Sequence, residues 1–162
     1  MAGSLGCALG CMVSGILLSR PKVRSLERRK LQRGRKVLQR TSARLRVLIR
    51  EDAAAYDRLV RAQRGRPRRM LRMRREAIES PLEICAQAVG AMQVLRQLSR
   101  STGPYLGSDV RAGQALLRGA FDAAVAMVQV NLGDKDLGPS DRRIRARLSQ
   151  YRRSLERLNG NS

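Results

Sequence analysis

Apolar residues recur every three or four positions through Leu38, Leu45, Leu48/Ile49, Tyr56 and Leu59/Val60, and Asp52 falls in the same line, seven residues after Leu45 and seven before Leu59. That spacing is one face of an amphipathic helix, so a carboxylate is directed at a core. A desolvated carboxylate is costly unless something meets it. Either one of the many arginines pairs with it as a buried ion pair, or burial raises its pKa and fits it to accept a proton. Asp109 and Asn131 likewise extend the apolar stripe of a later helix at its two ends. Each also has a plain structural reading, Asp109 complementing the helix dipole in a first turn and Asn131 capping a helix end. The 22 residues between them span about 33 Å of helix, so one pocket of one chain cannot use both.

Other chemistries are excluded by composition. The sequence has no histidine, which removes imidazole bases, Ser/His/Asp and Cys/His triads and His-rich metal sites. Cys7 and Cys11 form a CxxxC pair, but Cys85 is the only other cysteine. A zinc site therefore lacks ligands, and all three read as small buried thiols. An odd count without framework spacing argues against a disulfide-stapled secreted fold and for the cytoplasm. Neither GxxxxGK[ST] nor GxGxxG occurs, so the nucleotide-phosphate loops are missing as well.

The elements that would position these residues are helices. A chain of 162 residues with 43% hydrophobic content supports one domain, residues 1–162, and aromatics at only 2% leave a core of Ala, Leu, Val, Met and Ile, which suits closely packed helices. The expected class is all-α, a single-domain bundle of about five to six helices. The first covers Ser4 to Ser19, too short and with its positive charge on the wrong side for a membrane span or signal peptide. Its small residues Gly3, Gly6/Cys7, Gly10/Cys11 and Ser14 would let another helix lie very close. A long helix is expected from about Val23 to Gln63, with Gly34 as a possible break. Met70 to Ala77 reads as a short basic helix or a linker, and Ser80-Pro81-Leu82-Glu83 as a new helix start with a capping box. Ser108-Asp109 opens the next helix, ending near Asn131-Leu132-Gly133, and Pro139-Ser140-Asp141 caps the last. No run alternates as a strand would.

The formal charge of +21 is concentrated: residues 20–75 hold 22 Lys/Arg against Glu27, Glu51, Asp52 and Asp57. Such a field attracts polyanions, whether nucleic acid, a membrane surface or an anionic small molecule.

Five motifs in order resemble the cyclodeaminase domain of formiminotransferase-cyclodeaminase and its stand-alone bacterial relatives, which include methenyltetrahydrofolate cyclohydrolases. Gly3-Ser4 followed by Leu5, Ala8, Leu9, Gly10 and Met12-Val13 is similar to that family's PGGGS turn and first helix, of which Gly3 and Ser4 alone remain, as though the turn were truncated. Asp52-Ala53-Ala54-Ala55-Tyr56 matches its Asp-Ala-x-Ala-Tyr/Phe motif, Pro81-Leu82-Glu83-Ile84 its Pro-Leu helix start, Ser108-Asp109 its Ser-Asp, and Asn131-Leu132 its late Asn-Leu. Gly15 to Arg20 keeps only the terminal cation of the family's Asn-Leu-Thr-x-Gly-Lys, and Met127 stands where the family has another Asn.

The resemblance implies an all-α homodimer that acts on tetrahydrofolates, closing a formimino group into a ring with loss of ammonia or opening a methenyl bridge with water. Neither reaction needs a metal or other cofactor. It implies Asp52 as the catalytic carboxylate, Gly3, Ser4, Arg20, Tyr56, Asp109 and Asn131 as substrate-binding residues, and a folate, also in polyglutamylated form, as partner. The alternative is a catalytically degenerate relative of the same fold, binding nucleic acid or another polyanion through its arginine-rich surface.

Overall fold

The computed structural model describes residues 1–21, 23–62, 67–132 and 138–159. Five helices account for nearly all of them: α1 (Ala2–Leu18), α2 (Ser25–Ala62), α3 (Pro67–Ser99), α4 (Pro104–Leu132) and α5 (Pro139–Asn159). No strand occurs among the described residues. Helix α1 packs between α2 and α4, α3 packs against the same two from the other side, and α5 lies on α3. The result is a four-helix bundle with a fifth helix outside it.

The apolar seam of α2 keeps a strict seven-residue repeat. Leu31, Leu38 and Leu45 hold one position, Gly34, Thr41, Leu48, Ala55 and Ala62 the other, and all but the half-buried Gly34 are buried. Such a repeat holds one narrow face toward neighbouring helices over the whole length. Gly34 is no break: a Cβ there would lie 3.1 Å from Val94 Cγ1, so the glycine lets α2 approach α3.

The small residues of α1 do what their spacing predicts. Gly3, Gly6, Cys7, Gly10 and Ser14 are all buried. A Cβ on Gly6 would stand 2.6 Å from the Gly113 carbonyl oxygen, and one on Gly113 would stand 3.0 Å from that of Gly6. The α1 and α4 backbones therefore cross in direct contact. Cys7 and Cys85 are buried without disulfide partners, and burial pushes both thiols up to about 12, which makes them inert packing groups.

Two helix starts differ from the sequence expectation. Ser80-Pro81 does not begin a helix; Pro81 lies inside α3, which starts fourteen residues earlier at Pro67, and Met70 to Ala77 is part of it. The stripe Ile78, Leu82, Cys85, Val89 and Met92 is buried on both sides of the proline, and that apolar burial outweighs the local cost of a proline, about 3 kcal/mol. Helix α4 likewise begins at Pro104, so Asp109 is not in its first turn. The last helix starts as expected at Pro139, where Gly138, at φ 121°, accepts from the Asp141 and Arg142 amides. The expected end of the long helix at about Gln63 lies outside the described residues.

Candidate active site

Antiparallel register locates Asp52. Gly3 on α1 faces Leu45 on α2 and Ala120 on α4, with Cβ distances of 3.0 and 3.2 Å. Ser4 and Ser42 exchange hydroxyl-to-carbonyl hydrogen bonds of 3.4 Å each. Beyond this level α1 has only Met1 and Ala2, whereas α2 continues to Ala62 and α4 to Leu132. Asp52, two turns past Leu45, continues the α2 seam beyond this level.

Its environment decides between the two readings of the carboxylate. Asp52 is half-buried, and among the described residues no cation or hydrogen-bond donor meets it. The arginines nearby in sequence are engaged elsewhere. Arg44 binds Glu83 through Nε and Nη2, both at 2.6 Å, and Glu51 at 2.9 Å, while Arg58 lies 3.6 Å from Glu76. Desolvation alone acts on Asp52 and raises its pKa above the ordinary carboxylate value. The Arg44 guanidinium, by contrast, holds Glu83 below its ordinary value. A half-buried carboxylate with a raised pKa and no partner can accept a proton or sit beside a cationic carbon.

The other residues singled out by sequence fall into two groups. Gly3, Ser4, Tyr56 and Asn131 share the Asp52 end, with Tyr56 64% exposed one turn beyond the aspartate. Met127 on α4 stands level with Asp52 and is 37% exposed. Arg20 lies past the far end of α1 and is exposed; half-buried Asp109 sits near the far end of α4. Arg20 also lines an open cavity of about 380 Å³ with Leu17, Pro21, Val23, Glu27 and Leu31. Leu31 and Asp52 are about 32 Å apart along α2, so this cavity lies far from Asp52.

Asn131 has a second task that sequence reasoning missed. Pro81 has no N–H, so the carbonyl of Ala77 loses its helical donor. The Asn131 side-chain amide supplies one at 3.4 Å, and the Arg74 guanidinium donates to the Asn131 main-chain oxygen near the α4 terminus. The signal was present in the apolar stripe that runs unbroken through Pro81, which marks an internal proline and hence an orphan carbonyl four residues before it. Asn131→Leu, which removes the donor, is expected to cost about 1–2 kcal/mol, read from denaturant midpoints. The penalty should shrink in a Pro81→Ala background, where the backbone amide returns; an equal penalty there would mean that Asn131 stabilises by other contacts.

An antiparallel helical bundle with a carboxylate in its seam defines the class: a small all-α protein with a half-buried acid toward one end. The family model for formiminotransferase-cyclodeaminase matches residues 1–150, and the chain belongs to this family. Among solved structures, the chain is similar to a formiminotetrahydrofolate cyclodeaminase from Thermotoga maritima, with a TM-score of 0.89 at 18% identity over 97% of this chain and 79% of that one. At that identity the likeness speaks for the fold. A search of curated proteins finds no match.

Proposed function

We propose that this chain acts on C–N bonds of tetrahydrofolate derivatives, as a methenyltetrahydrofolate cyclohydrolase or a formiminotetrahydrofolate cyclodeaminase, with Asp52 as its catalytic carboxylate. The observation that carries the reading is the half-buried Asp52, which no cation or donor meets among the described residues; family membership supplies the substrate class. The methenyl bridge is a cationic amidinium carbon. In hydrolysis, water adds to that carbon, its proton passes to the carboxylate, and one C–N bond opens to leave a formyl group. In cyclodeamination, the amine nitrogen outside the pterin ring attacks the formimino carbon borne by the ring nitrogen. The former imine nitrogen takes up protons and departs as ammonia, leaving the same cationic bridge. That cation is the substrate of the first reaction and the product of the second. Asp52 stabilises it by its charge and, in hydrolysis, takes the proton of the attacking water. In this reading Tyr56 and Asn131, with Gly3 and Ser4 of the first turn of α1, border the pterin. The reading needs no cofactor beyond the folate substrate and places the chain in the cytoplasm.

The same reading includes a homodimer. Leu5, Met12 and Ile16 of α1 are exposed large apolar residues. Beside them α4 exposes Ala112, Ala115, Gly119, Ala123, Met127 and Val130 at three- and four-residue spacing. By length and composition α4 is also the one described helix apolar enough to cross a membrane; here its inner face is core, and beside the outer stripe runs a polar line with exposed Arg111, Arg118, Asp122 and Gln129. A second copy across this face, related by a two-fold axis through the middle of α1, would run antiparallel. That arrangement brings the partner subunit's Arg20 and the partner subunit's Asp109 toward this chain's Asp52, joining the two groups of site residues that one chain holds apart.

Two measurements test these points. Ammonia release from formiminotetrahydrofolate, against decay of methenyltetrahydrofolate, separates the two activities, and absence of both refutes the assignment. Leu5→Lys/Met12→Lys is expected to convert a dimer to a monomer in sedimentation with its helical signal intact. A wild-type chain that already sediments as a monomer contradicts the interface.

A further inference from the structure

We propose that the outer face of α2 is a docking surface for the phosphate backbone of double-stranded DNA, a binding function separate from the folate site. The face turned away from the bundle carries Arg29, Arg33, Lys36, Arg40, Arg46 and Arg50, all exposed. None of the six is in an ion pair among the described residues. The strict heptad seam of α2 holds them in one line over about 32 Å, with cations mostly three or four residues apart. Glu51, the nearest acid, is taken up by Arg44. Gln32 and Gln39 lie between the cations and add hydrogen-bonding groups.

What is absent from the stripe narrows the partner. It has no aromatic residue, so it lacks the platforms on which single-stranded bases stack. Its apolar seam is buried against α1 and α3, so α2 has no apolar face to lay into a lipid surface. A straight row of long, flexible cations without a reading residue fits regularly spaced phosphates and gives sequence-independent binding. The wide major groove of B-form DNA admits an α-helix, whereas that of A-form RNA is deep and narrow.

The test is fluorescence anisotropy of a labelled DNA duplex of mixed sequence, titrated with the full chain at several salt concentrations. Six phosphate contacts predict a log–log salt slope of about −5 and an affinity loss on the order of 10³-fold between 50 and 200 mM salt. Arg33→Gln/Arg40→Gln/Arg46→Gln/Arg50→Gln should flatten the slope by about 3 to 4. The two double variants, Arg33→Gln/Arg40→Gln and Arg46→Gln/Arg50→Gln, should each flatten it by about half as much. A control removes equal charge from α5, at Arg143, Arg147, Arg152 and Arg153. Screening at 0.1 M salt acts over about 10 Å, so the control should retain affinity within about threefold. Equal weakening by both charge removals, a salt slope near zero, no binding at 50 mM salt, or binding as tight to an RNA duplex or to anionic vesicles would each overturn the proposal. The first of these results would leave a solvated basic surface without a dedicated face. Folate turnover is expected to be unchanged in every stripe variant, so failure here leaves the folate reading standing.

Discussion

Asp52→Asn is expected to lower folate turnover by about 10²-fold or more, the share of a rate that a positioned proton acceptor supplies. Asparagine keeps the size and the seam position but can neither take a proton nor offset a positive carbon. The loss should fall on kcat, because the carboxylate acts on charge that develops in the reaction. Desolvation raises the pKa of Asp52, so wild-type activity should decline as pH falls through a value above the ordinary carboxylate range, and the variant should lack that limb. Stability runs the other way. A group whose folded pKa is raised contributes stability below its unfolded pKa, and that contribution is lost as pH rises through the folded value. At neutral pH the charged Asp52 therefore weakens the fold, and Asp52→Asn should melt at the same temperature or higher. A variant both inactive and strongly destabilised would instead identify Asp52 as a structural residue.

The second large effect concerns the crossing of α1 and α4. Gly6→Ala puts a Cβ 2.6 Å from a main-chain oxygen, which no side-chain rotation relieves, so the two helices must separate. We expect a loss of about 3 kcal/mol, or a fall of roughly 10 °C in Tm for a domain of this size. Gly90→Ala is the contrasting case. A Cβ on Gly90, inside α3, meets nothing within 4 Å, and the better helix former should stabilise by about 0.5–1 kcal/mol. If the two alanines behaved alike in thermal melts, the close backbone contact of α1 with α4 would be wrong.

Most of the architecture was legible in the sequence because it rests on periodicity and on small residues. The seven-residue seam of α2, the glycine spacing of α1 and the stripes of α4 and α5 all report a buried face directly. The misread points are those where long-range packing overrides a local signal. Ser80-Pro81-Leu82-Glu83 has the residues of a helix start, yet apolar burial carries α3 through it, and the freed Ala77 carbonyl finds its donor on Asn131, 54 residues away. No local pattern encodes that donor. Gly34 reads as a breaker until Val94 is seen against it. The site was legible in part for the same reason. Asp52 shows up as a break in a stripe, whereas its lack of a counter-ion depends on Arg44 and Arg58 choosing Glu83, Glu51 and Glu76, which only the assembled bundle reveals. Arg20 and Asp109 match motifs one at a time, and their distance from Asp52 emerges only once α1 and α4 are placed.

The most direct measurement is the decay of methenyltetrahydrofolate absorbance at neutral pH, followed side by side for the wild-type chain, Asp52→Asn and buffer. A catalytic carboxylate at Asp52 predicts wild-type decay well above buffer and a variant about 10²-fold slower, with melting temperature maintained. Wild-type and variant curves that coincide, whether at the rate of buffer or above it, would contradict a catalytic Asp52.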